Sequence, residues 1–251
     1  MESGGTVRLV ELPDPVAEVA DELAASRGVT AVVVGGSRAT GDERPESDWD
    51  LGVYYRGSLD LSAVAARGEV YPPGSWGRMM NGGAWLDVDG TRVDVLLRDL
   101  DVVEHWTAEA EAGRFEVDGL LGYVAGIPTY SLAAEAAVAV TVRGVSDGAR
   151  AFPERLADAA PAHWRFRRDF SLMYAERHAS RGNLPGTVGQ AARAVLEEAH
   201  ARWCAERRWV LNEKHVVVGV GLDEAADLLG APGRSAADLT RFVDALRATL
   251  T

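Results

Sequence analysis

Residues 30–34 read Thr-Ala-Val-Val-Val and residues 51–55 read Leu-Gly-Val-Tyr-Tyr. Between them stand Gly35-Gly36-Ser37, a ten-residue spacer and then Asp48-Trp49-Asp50. No other stretch constrains the chain as tightly. Short apolar, β-branched runs bounded by Gly and Asp read as strands. One strand therefore leads into a small-residue turn, and a second leads away from two carboxylates. Asp48 and Asp50, two apart at a strand start, project to one face, and Trp49 between them points to the other. Carboxylates held this close repel unless a cation neutralises them. Magnesium favours oxygen ligands and takes one or two carboxylates together with substrate phosphates. The glycines let the backbone approach an anion, and consecutive N–H groups at a helix start can cradle phosphate oxygens. Ser37 adds a hydroxyl, and Arg38 can bind phosphate or pair with an acidic neighbour. The plainer reading is that these aspartates cap turns at strand ends.

A second pair of strand-like runs, 84–88 and 91–97, flanks Asp89-Gly90, a strong two-residue hairpin signal. Asp94 stands between Val93 and Val95 and by alternation faces away from them. It supplies a third carboxylate, enough to seat two metals roughly 3.5–4 Å apart across an in-line displacement. Asp89 is explained by the turn, and the role of Asp87 is open. Residues 71–83, rich in Pro and Gly, form a long loop of the length that is functional or disordered. Trp85, just after it, can stack on a ring, but core packing is the more economical reading.

Gly36-Ser37, the spacer, Asp48-x-Asp50 and the later strand Asp94 resemble the complete signature of polymerase-β-type nucleotidyltransferases over residues 30–97. The resemblance implies a metal-dependent transfer of NMP, with ATP as the default donor and two Mg²⁺ ions. Asp48, Asp50 and Asp94 would be the catalytic and metal-holding residues, and Gly36, Ser37 and Arg38 would contact nucleotide. With the helical region that follows, the chain is similar to the enzymes that adenylylate aminoglycosides and lincosamides, which implies a small-molecule acceptor and antibiotic resistance. Trp209 to Lys214 is similar to a segment whose lysine contacts phosphates in those enzymes, giving Lys214, the only lysine of 26 basic residues, that role. Some relatives take the general base from the helical domain. Glu213, Glu197 and Glu198 are the candidates here, the last two reading more simply as a solvated helix face. In relatives the site can lie between two subunits, so a homodimer is one expected arrangement.

Composition narrows the partners. The net charge is −12, and residues 1–150 carry 12 Arg against 25 Asp and Glu. A sequence-independent nucleic-acid binder needs a basic footprint, which this balance disfavours; a small cationic acceptor suits it better. The one cysteine, Cys204, permits no internal disulfide. No apolar run is long enough for a membrane span, and a cytoplasmic protein is expected.

Helical spacing marks residues 16–23, 59–66, a stretch after Asp99 to about 111, and 132–142. Helices are read over 161–180, 185–208, 223–229 and 235–250, with a linker at 144–148. The fold expected is α/β (α+β): a nucleotidyltransferase domain over residues 1–147 with a small mixed sheet, then an all-helical bundle over 148–251. One alternative is protein AMP transfer or a toxin–antitoxin component, because Arg193-x6-His200 in a helical domain is the spacing of an RNA-cleaving pair.

Overall fold

The computed structural model describes residues 10–146 and 150–250. The elements run α1 (Asp14–Ala25), β1 (Val29–Val34), α2 (Gly36–Thr40), β2 (Trp49–Tyr55), β3 (Gly68–Tyr71), α3 (Gly77–Met80), β4 (Gly83–Val88) and β5 (Thr91–Asp99). Then follow α4 (Leu100–Glu111), β6 (Val117–Asp118), β7 (Ile127–Pro128), α5 (Ser131–Val138) and β8 (Val140–Gly144). The last part holds α6 (Glu154–Ala179), α7 (Leu184–Ala205), α8 (Asp223–Leu229) and α9 (Ala236–Thr249). No described helix is long and apolar enough to cross a membrane.

Two compact units emerge. The first comprises the described residues of Met1–Thr107 and Leu132–Ala151, the second those of Ala108–Ser131 and Phe152–Thr251. The first is built on a six-stranded mixed sheet ordered β3-β4-β5-β2-β1-β8. Its β2–β5 pair is parallel and the others are antiparallel. The amphipathic stripe Val16, Val19, Ala20 and Leu23 of α1 packs with Val32, Val34, Leu51, Val53, Val93, Val95 and Leu97, closing one face of the sheet. Trp49 joins that core, as the alternation requires.

Several elements differ from the sequence reading. The helix expected over 59–66 is only a 3-10 turn, Ala65–Arg67, and the chain then forms the edge strand β3. Gly68 permits this, since a Cβ there would sit 2.0 Å from the Trp85 carbonyl oxygen. The helix expected over 132–142 stops at Val138, and β8 pairs with β1 instead. Val140, Thr141 and Val142 are β-branched and sit where an open sheet edge is available, so strand pairing wins. Gly144 of the expected linker ends β8, while residues 147 and 148 of it lie outside the described residues.

In the second unit Pro161 lies inside α6, not at its start. The helix begins after Pro153, whose carbonyl accepts from the Ala157 N–H at 3.1 Å. A core of Leu172, Ala175, Ala191, Ala194, Val195, Leu239, Phe242 and Leu246 joins α6, α7 and α9. Ser235 caps α9 through a reciprocal box with Asp238. Ala110, Ala125 and Tyr130 pack with Leu156, Trp164 and Cys204, so residues 108–131 belong with the helices in space.

Candidate active site

The sheet face opposite α1 carries the acidic residues. Asp50 of β2 pairs in register with Asp94 of the parallel strand β5. Asp94 pairs with Trp85 of β4, and Trp85 with Glu69 of β3. Residues in register on neighbouring strands share a face, so Glu69, Trp85, Asp94 and Asp50 form one row across four strands. Val93 and Val95, on either side of Asp94, are fully buried in the opposite direction. Asp50 and Asp94 are both half-buried, open enough to meet a ligand.

At the end of that row the Gly35-Gly36-Ser37 turn closes over Asp50. The Gly35 N–H donates to the Asp50 carbonyl at 2.9 Å. Gly36 has φ +58, and a Cβ there would lie 1.8 Å from Asp50 Oδ2. Only glycine fits both the backbone conformation and the space. Ser37 sits in the first turn of α2, where helix N–H groups have no carbonyl partner of their own within the helix.

Arg38 fixes the approach to β2. Its Nε donates to the Asp48 carbonyl at 3.2 Å, its Nη2 to the Ser47 carbonyl at 2.5 Å, and its guanidinium lies 4.2 Å from the centroid of the Trp49 ring. It holds the segment carrying Asp48 against the start of the strand. Among the described residues no three His, Cys, Asp or Glu side chains gather as a ready-made metal cluster. The in-register pair Asp50 and Asp94, with Asp48 two residues upstream, is nevertheless an all-oxygen donor set of the kind a hard divalent cation takes. The same face farther along the strands is filled by Arg98, which is buried and donates to Glu135 at 2.6 Å and to the carbonyls of Leu97 and Met80. Tyr54 lies there too, its hydroxyl pushed well above its ordinary pKa, first by burial and then by the Glu135 charge.

Trp85 is not core. It is 51% exposed, because the edge pairing of β3 with β4 turns it to the open face beside Asp94. The hairpin is as expected, with Asp89 and Gly90 both at positive φ. Asp87 accepts from the Gly90 N–H at 2.9 Å and so serves the turn.

The helical unit treats its charged residues differently. Glu197 and Glu198 are buried rather than a solvated face. Glu197 accepts from Arg193 at 3.0 Å and Ser171 at 2.7 Å; Glu198 accepts from Arg168 at 2.6 Å and Arg202 at 2.9 Å. The Arg193/Glu197 and Glu198/Arg202 spacings of four residues were the readable signal for these pairs. The Glu213 carboxylate accepts from the Val124 and Ala125 N–H groups at 2.7 and 2.8 Å, tying two loops together. Lys214 is exposed, and its N–H donates to Asn212 Oδ1 at 2.9 Å. His200 is buried, stacked on Trp164 at 4.2 Å, and burial pushes its pKa down to about 3, with the Arg167 charge adding to the effect. Arg193 is turned to Glu197, so the Arg193-x6-His200 spacing builds helix packing and not a solvent-facing pair.

The family model for the nucleotidyltransferase domain matches residues 16–108. This part of the chain is a nucleotidyltransferase domain. The match spans α1, the Gly turn, the Asp48/Asp50 segment and the Asp94 strand, that is, the whole row described above. A nucleotidyltransferase domain moves an NMP from an NTP, and the family generally uses a divalent metal. Among solved structures, a nucleotidyltransferase-like protein from Exiguobacterium sibiricum is similar at 12% identity and TM-score 0.47, over 94% of this chain and 73% of that one. A cyclic dinucleotide synthase from Elizabethkingia meningoseptica, solved with GTP and Apcpp, is similar at 10% identity and TM-score 0.27, over 91% of this chain and 88% of that one. No curated protein matches the chain.

Proposed function

We propose that the chain transfers AMP from ATP to a hydroxyl of a small-molecule acceptor and releases pyrophosphate. The observation that carries this reading is the in-register pairing of Asp50 with Asp94 beside the Gly36 turn. Asp48, Asp50 and Asp94 would hold Mg²⁺, which when bound offsets triphosphate charge and polarises the α-phosphate. Gly36 and Ser37 present backbone N–H groups and a hydroxyl to phosphate oxygens. Arg38, engaged with the Ser47 and Asp48 carbonyls, positions the aspartates. The acceptor oxygen attacks the α-phosphorus, a new P–O bond forms, and the bond to the β-phosphate bridging oxygen breaks. The electron pair leaves with pyrophosphate, and Asp94 either completes the metal site or takes the hydroxyl proton.

The excess of Asp and Glu over Arg in residues 1–150 supports a cationic acceptor such as an aminoglycoside. Transfer to a protein shares the same chemistry. The ribonuclease-like form of that alternative loses its main support with His200 buried.

The test is pyrophosphate release with magnesium, each NTP and a panel of aminoglycosides, lincosamides and nucleosides. Acceptor-dependent release that is absent from Asp50→Asn is expected. Release that is unchanged in that variant contradicts the proposal.

A further inference from the structure

Beside Asp94, on the side away from Asp50, stands an aromatic surface with no role in the chemistry above. Trp85 lies one strand from Asp94 in register. Its ring meets Tyr71 edge-on at 4.9 Å and stacks on Trp76 at 5.5 Å with 29° between planes; Tyr71 and Trp76 are 5.0 Å apart. Three aromatic rings in mutual contact would ordinarily serve a core, yet Trp85 is 51% exposed.

The loop before β4 is shaped to present this cluster. Trp76 donates its N–H to the Asn81 carbonyl at 3.0 Å, Gly74 donates to Asn81 Oδ1 at 2.9 Å, and Asn81 Nδ2 donates to the Tyr55 hydroxyl at 2.7 Å. Asn81 itself holds φ +61. Trp76 then lies across Gly83, where a Cβ would come within 2.6 Å of its ring. Glycine at 83 and a left-handed Asn81 thus fix Trp76 behind Trp85. The Tyr71 hydroxyl donates to Glu69 Oε2 at 2.6 Å, holding the third ring.

We propose that Trp85, backed by Trp76 and Tyr71, is the acceptor platform and a specificity-determining residue, a reading that rests on the transfer chemistry above. The row assigns opposite sides to the two substrates. The Gly36 turn and Asp50 form the phosphate side, Asp94 stands between, and Trp85 forms the far side. Neighbouring strands are about 4.8 Å apart, so a ring lying on the Trp85 indole holds its hydroxyl within reach of Asp94. The acceptor class is therefore an alcohol on a ring with a C–H or π face to lay on the indole, not an open-chain alcohol or an extended peptide.

The experiment is calorimetric titration of the full chain with four ring alcohols: kanamycin, streptomycin, lincomycin and adenosine. A parallel titration uses magnesium with a non-hydrolysable ATP analogue. Wild type is compared with Trp85→Ala, Trp85→Phe and Trp76→Leu, each checked by thermal unfolding. At least one ring alcohol is expected to bind wild type and to weaken about tenfold in Trp85→Ala, the scale of one lost ring stack. Trp85→Phe should hold near wild type, and the analogue should bind all variants equally. Ring binding that ignores Trp85, no ring binding to wild type, or a loss that falls on the ATP analogue instead overturns the platform. Failure of wild type to bind the analogue sinks the transfer reading, and the platform with it.

Discussion

Asp50 and Glu198 are both carboxylates, and the fold sets them in different surroundings. Asp50 sits on an open sheet face, with Gly36 shaped around its oxygen and Asp94 alongside. Glu198 is buried in the helical unit, with Arg168 and Arg202 on its two oxygens and Arg165 at 3.5 Å. One arrangement sets acidic groups side by side on a half-buried sheet face. The other spends them on internal pairing. A carboxylate encircled by arginines from α6 and α7 serves the architecture of the helical unit, whereas the in-register pair Asp50 and Asp94 shares a half-buried sheet face beside a glycine turn.

Removing a partner from the buried network should have the largest effect. Glu198→Ala removes the buried carboxylate shared by Arg168 and Arg202, leaving Arg168 only the exposed Asp169, and should cost about 3–5 kcal/mol of stability by urea unfolding. A loss under about 1 kcal/mol would show that the network is better solvated than its burial implies. In the sheet unit Gly36→Ala should act on activity instead. Its Cβ must displace the Asp50 carboxylate, and φ +58 disfavours any side chain. Pyrophosphate release should fall about 100-fold through the displaced carboxylate, with a stability loss of only about 1–2 kcal/mol from the strained backbone. Equal loss of both would erase the contrast.

The contrast extends to acid. His200 has a folded-state pKa near 3, below the ordinary value of about 6.5. The unfolded chain therefore takes up a proton that the folded chain refuses. The associated stability is complete above pH ~6.5 and is lost as pH falls toward about 3, at no more than ~1.4 kcal/mol per pH unit for this one group. His163 is lowered in the same direction, first by burial and then by Arg167. Urea midpoints measured from pH 7 to 4.5 should fall in wild type and fall less steeply in His200→Gln. Parallel slopes would assign the acid sensitivity elsewhere. The smallest effect is expected at the exposed pairing of Arg56 with Asp101 and Glu104. Arg56→Ala should leave the urea midpoint close to that of wild type, and any difference should shrink in high salt.

The sheet unit was largely legible because its signals are local. The β-branched runs, the Asp89-Gly90 turn and the Asp48/Asp50 spacing each fix a nearby backbone geometry, and Asp94 follows from alternation. The row itself was not legible, because register between β2 and β5 joins residues far apart in sequence. Edge strands β3 and β8 were missed for the same reason: Gly68 and the run from Val140 become strands only because a neighbouring edge receives them. Trp85 was misassigned because alternation gives a face but not whether that face is covered. In the helical unit the i,i+4 Arg–Glu spacings were visible, yet the burial of Glu197 and Glu198 depends on arginines contributed by α6.

On the proposed reading, the carboxylates of the β2–β5 row bind the nucleotide through a divalent cation. The most direct measurement is titration of a non-hydrolysable ATP analogue into wild type, Asp50→Asn and Asp94→Asn, with magnesium and with chelator. Binding should require magnesium in wild type and be lost in Asp50→Asn and Asp94→Asn, while all three proteins melt alike. Equal affinity with and without magnesium, or full affinity in Asp50→Asn, would contradict the account.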